Sequence, residues 1–338
     1  MKKVRMAGTD LTLSRICLGT DQFGSKLSGQ EAFRILDHFR DLGGNFLDTA
    51  NIYGKWLPDG INHSERLVGQ WLRERKAAQD MVVATKGGHY DLDHPGISRV
   101  TREGIRADLE ESLWFLGLER IDFYWLHRDN PAMEMEELIG ILEELVKEGK
   151  IRYYGASNFC LERLEEAYAY ADTHRGQGFR AVSNQWSLAV DRKQGEASQN
   201  AATGDPTMVK TNRTLYEWHR QTGMPLVPYS SSAGGYFARL EAGQMSEGMA
   251  AKYDQDRNRK IFHLLQEESA RCGISAFGLG QAFLLAQPFQ VYPATAVSSP
   301  DQMAEFAAIC GYEMPDGLAG KLLEEKYTNI LKEIPETY

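Results

Sequence analysis

The sequence predicts one closed (β/α)8 barrel spanning residues 1–338, and three observations predict it. Short apolar runs alternate with longer amphipathic stretches, the order that builds a parallel sheet wrapped in helices. Several runs are β-branched or aromatic without polar alternation, as parallel strands buried on both faces require. Ionisable residues stand where those runs end, and the C-terminal strand ends of such a barrel carry its chemistry.

Taken in order, the strand candidates are 15–20, 45–50, 81–86, 121–127, 152–158, 181–185, 225–230 and 291–296. Ahead of them, 3–6 and 11–13 flank Gly8-Thr9-Asp10, a small hairpin suited to closing the bottom of a barrel. Ser28 and Glu31 read as a capping box, followed by Ala32, Ile35, Leu36, Phe39 and Leu42 on one face and Gly43 as the stop. Over 102–116, Ile105, Leu109, Leu113 and Leu116 share a face, and Leu138, Ile141, Leu142 and Leu145 repeat the pattern before Gly149. The helices of the sixth and seventh units are short and hard to bound. Segments 187–212 and 231–258 are too polar and irregular for the repeat. Loops of that length are commonly functional, so both are expected to cover the site; mobile insertions are the alternative. No internal repeat or linker composition divides the chain.

Composition narrows the class. The chain has 42% hydrophobic and 25% charged residues, a globular balance, and enough length to bury a core without disulfide or metal. A net charge of −9 argues against nucleic acid or an anionic membrane as the main partner. Cys17, Cys160, Cys272 and Cys310 are scattered, which suits reduced, mostly buried thiols rather than a disulfide frame or a zinc site. With no signal-peptide pattern and no membrane-length apolar stretch, the expectation is a soluble cytoplasmic protein whose partner is a small molecule.

The chemistry-bearing residues are Asp48 after the second strand, Tyr53 just beyond it, Lys86 ending the third and His127 ending the fourth. Singly, each has an ordinary structural explanation: a turn cap, a loop tyrosine, a solvent-reaching lysine, a satisfied histidine. Together they form a coherent device. A phenol is a poor proton donor at neutral pH, an adjacent ammonium favours its phenolate, and a paired carboxylate holds the ammonium charged. A neutral imidazole can orient the substrate oxygen. Carbonyl reduction needs such a set, because the developing alkoxide must receive a proton while a cofactor supplies hydride.

At these residues the sequence resembles the aldo-keto reductase superfamily. The matching segments are Gly19-Thr20, Phe46-Leu47-Asp48-Thr49-Ala50 with Tyr53-Gly54, Ser64-Glu65, Ala84-Thr85-Lys86, Leu126-His127, Tyr154-Gly155-Ala156-Ser157-Asn158-Phe159, Asn184-Gln185 and Pro228-Tyr229-Ser230. They occur in family order over nearly the whole chain. The resemblance implies a TIM barrel holding an extended nicotinamide cofactor, with Tyr53 as acid/base, Lys86 and Asp48 tuning it and His127 orienting substrate. It further implies that Ser157, Asn158 and Gln185 read the carboxamide and that Tyr229 stacks on the nicotinamide ring. Gly19, Thr20 and Asp48 would lie near the ribose and Ser230 near the phosphates.

The sequence departs from the family past the last strand. At the positions where the family has Lys or Arg to grip an NADP 2′-phosphate the resemblance places Ala296, Ser298 and Gln302, with Glu305 left to reach the adenine and Phe306 beside it. The loss favours NAD(H) slightly over NADP(H), unless a cation arrives from Arg239, Lys252, Arg257, Arg259 or Lys260. Trp56, Arg128, Asp129 and Trp186 are the substrate candidates, since aromatic faces beside hydrogen-bonding groups suit a sugar or sugar derivative; an Arg128–Asp129 ion pair with packed tryptophans is the alternative. Two other functions are open at this point. One is a cofactor-binding sensor subunit with little turnover; the other is a lyase in which Lys86 forms a Schiff base.

Overall fold

The computed structural model describes residues 1–174, 176–192 and 207–327. An antiparallel hairpin opens the chain, β1 (Lys3–Arg5) with β2 (Thr12–Ser14), its turn passing through Gly8 at φ 71°. Seven parallel strands follow: β3 (Cys17–Gly19), β4 (Phe46–Asp48), β5 (Val82–Gly87), β6 (Ile121–Leu126), β7 (Ile151–Ser157), β8 (Val182–Ser183) and β9 (Ala294–Thr295). Their order across the sheet is β8-β7-β6-β5-β4-β3-β9. Helices α1 (Gly29–Asp41), α2 (His63–Arg75), α3 (Arg102–Leu116), α4 (Met135–Lys147) and α5 (Leu161–His174) alternate with the strands.

The stretch 225–230 was expected as a regular strand and is instead a set of isolated parallel bridges, Val182 with Leu226 and Leu226 with Val291. Val227 N–H donates to the Val182 carbonyl at 2.8 Å and Ala294 N–H to the Pro228 carbonyl at 3.0 Å. Pro225 and Pro228 have no N–H to donate, so a continuous ladder cannot form there. The segment nevertheless joins β8 to the chain entering β9, the two sides left open by the seven-stranded sheet.

Two apolar layers result. Residues on the inner face, including Phe46, Ala84, Phe123, Trp125 and Tyr292, pack with Met6, Leu11 and Leu13 of the hairpin, which plugs one end. The outward faces of the strands pack against the helices in a larger cluster. The capping box forms: Ser28 accepts from the Glu31 backbone, and Glu31 accepts from the Ser28 backbone at 2.8 Å. Ala32, Ile35, Leu36 and Phe39 are buried as their spacing requires, while Leu42 is half-buried.

The segment 231–258 is more ordered than its composition suggests. It contains a 3-10 turn (Ala233–Gly235) and two short helices that follow α6 (Arg213–Thr222), namely α7 (Tyr236–Glu241) and α8 (Glu247–Tyr253), and it enters α9 (Asp256–Cys272). Helices of one or two turns are too short to display a 3.6-residue period, which is why the pattern hid them. In the other polar segment, 193–206 lie outside the described residues. After α9 come α10 (Ala276–Leu285), α11 (Asp301–Ile309) and α12 (Asp316–Tyr327). Almost all of α10 is buried, so it shows no amphipathic stripe. Cys17 is buried, Cys160 and Cys310 are half-buried and Cys272 is exposed, so the thiols are less buried than expected. Among the described residues no helix is long and apolar enough to cross a membrane, and no His, Cys, Asp and Glu cluster could hold a metal ion.

Candidate active site

The strand ends open on a cleft of about 980 Å³. Its lining runs from Asp48 and Tyr53, through Gly19, Thr20 and Tyr229–Ser232, to Ala296, Ser298, Gln302 and Glu305. The short helices after Tyr229 form part of the wall through Gly234, Gly235, Ala238 and Arg239.

At one region of this cleft the structure brings four predicted residues together. Lys86, on β5, is 2% exposed, and its ammonium pairs with the carboxylate of Asp48, on neighbouring β4 and 4% exposed. The same ammonium donates to the Thr49 carbonyl at 2.7 Å and to the Tyr53 hydroxyl at 3.3 Å. Three acceptors therefore take its three protons. Burial alone would lower the lysine pKa, but Asp48 and Tyr53 outweigh it and hold the amine charged. The His127 ring lies edge-on to Tyr53, centroids 6.0 Å apart. Burial first, then Arg128, His89 and Lys86, keep its pKa well below the usual histidine range, so the imidazole is neutral.

Tyr53 departs from expectation. Burial raises its pKa more than Lys86 lowers it, and Asp48 and Asp21 add to the rise. The resting phenol is therefore protonated.

The remaining candidates divide. Thr20 lines the cleft but spends its hydroxyl on the Asp48 carbonyl at 3.1 Å and on Ser64 at 2.8 Å. Ser157 donates to the Ser183 carbonyl at 2.7 Å. Asn158, at φ 63°, donates to the His127 carbonyl and accepts from Tyr229 OH at 2.7 Å and Val209 N–H at 3.1 Å. Its amide thus ties three strand ends together. Gln185 is half-buried and bridges Lys210 and Tyr229 through its backbone. Glu305 accepts from Ser275, the N-cap of α10, and Gln302 accepts from Ser298 N–H at 2.8 Å.

Of the substrate candidates only Trp56 stands at the rim, 47% exposed and 6.2 Å from the Tyr53 ring centre. Trp186 is corrected: it is 2% exposed and packs against Tyr216 and Phe283, its indole donating to Tyr327 OH at 3.0 Å. Asp129 is likewise taken inside, paired with Arg163 at 3.0 Å, and not with Arg128. Arg128 is buried, donating to Thr207 at 2.8 Å and to the His127 carbonyl at 2.9 Å, so it braces the histidine.

Sequence reasoning missed Asp21, which lines the cleft with Tyr53 and acts electrostatically on it. It also missed His89, whose ring is 4.8 Å from His127. Their positions immediately after β3 and β5 were the available signal. Of the five basic residues considered after the seventh strand segment, Arg239 lines the cleft; Lys252 pairs with Asp191 and Arg259 with Asp254.

The family model described as the aldo/keto reductase family matches residues 15–317. The uncharacterized oxidoreductase YrpG of Bacillus subtilis is 28% identical over 313 residues, covering 90% of each chain. Norsolorinic acid reductase stcV of Emericella nidulans is 25% identical over 319 residues, 90% of this chain and 76% of its own. Probable aldo-keto reductase 1 of Glycine max is 25% identical over 332 residues, 94% of this chain and 84% of its own.

Proposed function

The chain belongs to the aldo/keto reductase family, and on that premise we propose that it moves a hydride between a nicotinamide dinucleotide and a carbonyl or alcohol, with Tyr53 as acid/base. The observation that carries this reading is the Lys86 ammonium shared between Asp48 and the Tyr53 hydroxyl at the wall of the cleft. The isolated bridges at Leu226 support closure of the sheet into the full (β/α)8 barrel.

The residues fit such a cofactor. The cleft holds about 980 Å³, its walls carry hydroxyls and glycines that admit close backbone approach, and Tyr229 offers a planar face. Gly19, Thr20, Tyr229, Ser230, Ser298, Gln302 and Glu305 would hold it, with Ser157, Asn158 and Gln185 beside the carboxamide. When bound, the nicotinamide supplies or accepts the hydride.

In the reducing direction the substrate oxygen sits between the Tyr53 hydroxyl and the neutral His127 ring. The phenol gives its proton to that oxygen as charge develops on it, and the Lys86 ammonium stabilises the phenolate left behind. Asp48 keeps the ammonium protonated throughout. A Schiff-base lyase is disfavoured, because it needs the lysine amine neutral and this pair holds it charged.

Ala296, Ser298 and Gln302 offer no charge to a 2′-phosphate, so the reading leans to NAD(H); Arg239 and Lys26 are cations in the cleft lining within the described residues that could meet the cofactor phosphates. For substrate, the half-exposed Trp56 beside Tyr53 supports a sugar or sugar derivative stacked on its face. An aromatic carbonyl is the second reading. His89, 4.2 Å from the Tyr90 ring and 4.8 Å from His127, favours it by extending an aromatic surface beside the reaction centre.

The test is a screen of sugars, simple aldehydes and aromatic ketones with NADH and NADPH, followed at the reduced-nicotinamide absorbance. Turnover of a carbonyl with loss of reduced cofactor is expected. Tight cofactor binding by fluorescence with no turnover of any substrate would replace the enzyme with a sensor.

A further inference from the structure

The Asp48 carboxylate is only half satisfied. One oxygen accepts from Lys86, while Oδ1 is buried and without a hydrogen-bond partner. Among the described residues of the same interior the indole Nε1 of Trp125 and the Tyr292 hydroxyl are also buried and unpartnered, and of the two it is Trp125 whose N–H influences Asp48. An indole nitrogen can only donate, and a carboxylate oxygen can only accept. A buried ion pair is stable only when its remaining lone pairs are also met, so leaving Oδ1 bare works against the charge on Asp48.

Trp125 is held where such a donor is useful. It sits on β6 directly beside Lys86 of β5 and, on its other side, beside Gly155 of β7. A Cβ at Gly155 would come within 2.4 Å of the Ala181 carbonyl oxygen and 2.6 Å of the indole, so glycine there leaves room for both the neighbouring backbone and the ring. The ring of Phe123 packs against it at 4.4 Å. Trp125 is fully buried, and its N–H faces the Asp48 carboxyl closely enough to favour the charged form, without closing a hydrogen bond of normal geometry in this structure. None of this is needed for packing alone, which a phenylalanine at 125 would largely supply.

We propose that Trp125 is a positioning residue: its indole N–H satisfies the second oxygen of Asp48 and so keeps the Asp48–Lys86 pair ionised beneath Tyr53. The proposal rests on the reading of Tyr53, Lys86 and Asp48 given above. Burial pushes the Asp48 carboxyl upward, opposed by Lys86 and by the Trp125 N–H. The other groups facing the pair are Tyr53, Asp21 and Cys17, with the neutral His127 beyond. Without the indole donor, Asp48 takes up a proton at higher pH, Lys86 loses its counter-charge, and the device fails from the acid side.

The experiment compares wild type, Trp125→Phe and Trp125→Gln in carbonyl reduction from pH 5 to 9, with melting curves to confirm folding. In W125F the acid limb of kcat should move upward by about one pH unit, so that the rate at a given pH on that limb falls roughly tenfold and recovers at higher pH, with little change in KM. W125Q, which restores an N–H donor, should return the limb toward its wild-type position even if its overall rate is lower. An acid limb that stays in place in folded W125F overturns the proposal. A second readout needs no turnover: the indole N–H proton resonance of Trp125 should move when Asp48 is changed to Asn, and a resonance indifferent to D48N also overturns it. Failure of the parent reading is distinguishable, because Tyr53→Phe would then turn over normally in the same assay.

Discussion

Two regions of one cleft are built in opposite ways. Around Tyr53, the charged and polar groups are buried and committed: Lys86, Asp48 and His127 are 2%, 4% and 7% exposed, and each is fixed by a neighbouring strand. Around Ser298, Gln302 and Ala296 the wall is built of uncharged side chains beside the Glu305 carboxyl and is largely open to solvent. Burial makes electrostatic interactions strong and geometry exact, whereas exposed polar groups are screened and adjustable. The difference teaches where change is tolerated. On the proposed function, the reaction chemistry would depend on a preformed, mutually supporting set, and discrimination between cofactors would rest on a few replaceable side chains.

The comparison breaks most visibly at Tyr53. Tyr53→Phe removes the proton carried to the substrate oxygen, so kcat should fall at least about 10²–10⁴-fold. Cofactor binding, followed by fluorescence titration, should stay near normal, because the cofactor is held mainly elsewhere. Near-normal turnover would end the assignment of this region as the reacting one.

At the open region a single substitution should act strongly but locally. Wild-type kcat/KM for NAD(H) is expected to equal or exceed that for NADP(H). Ser298→Arg should shift the ratio toward NADP(H) by roughly tenfold or more, since a charge-assisted hydrogen bond contributes about 1.5–3 kcal/mol. A strong wild-type preference for NADP(H), abolished by Arg239→Ala, would show instead that the helical segment after Tyr229 supplies the charge.

A smaller effect is expected at Asp21, which lies between the two regimes: exposed, yet facing Tyr53. Its negative charge helps to raise the phenol pKa. Reduction requires the protonated phenol and is lost as pH rises through that pKa. Asp21→Asn should therefore bring the alkaline decline of kcat to lower pH, by less than about one unit. An alkaline limb that does not move would separate Asp21 from the device.

The smallest change concerns stability behind the reaction region. Glu65, on α2, is fully buried, accepting from Thr85 and Asn62, and burial raises its pKa to about 7 despite those bonds. The folded state therefore holds a proton that the unfolded chain releases nearer 4.5. Stability from this group is full below about pH 4.5 and declines as pH rises through 7. Glu65→Gln mimics the protonated acid, its amide donating to the Thr85 hydroxyl while its oxygen accepts from Asn62. Its Tm should gain on wild type by a few degrees at pH 8 and by less at pH 5. A difference independent of pH would place the buried proton elsewhere.

Much of the molecule is legible in its sequence. The capping box at Ser28 and Glu31, the 102–116 helix and most of the strands follow from hydrophobic period and local hydrogen bonding, which act over a few residues. The same logic placed Asp48, Lys86 and His127 at adjacent strand ends, because parallel strands in sequence become neighbours in space. Where local rules were weakest, the reading slipped: the one- and two-turn helices α7 and α8 have no room for a period, and the prolines at 225 and 228 reduce a strand to bridges.

What the sequence determined by itself was the family motif order, the alternation of strand and helix, and the residue types able to move a proton. Only the tertiary structure decided how those residues spend their hydrogen bonds. It turned Trp186 inward onto Tyr327, gave Asp129 to Arg163, and set Arg128 to brace His127. It also showed that burial outweighs the ammonium at Tyr53, leaving the phenol protonated. The physical reason is common to all four. Side-chain direction, desolvation and the choice between competing partners depend on groups far apart in sequence, and no local pattern encodes which of them will arrive first at a buried site.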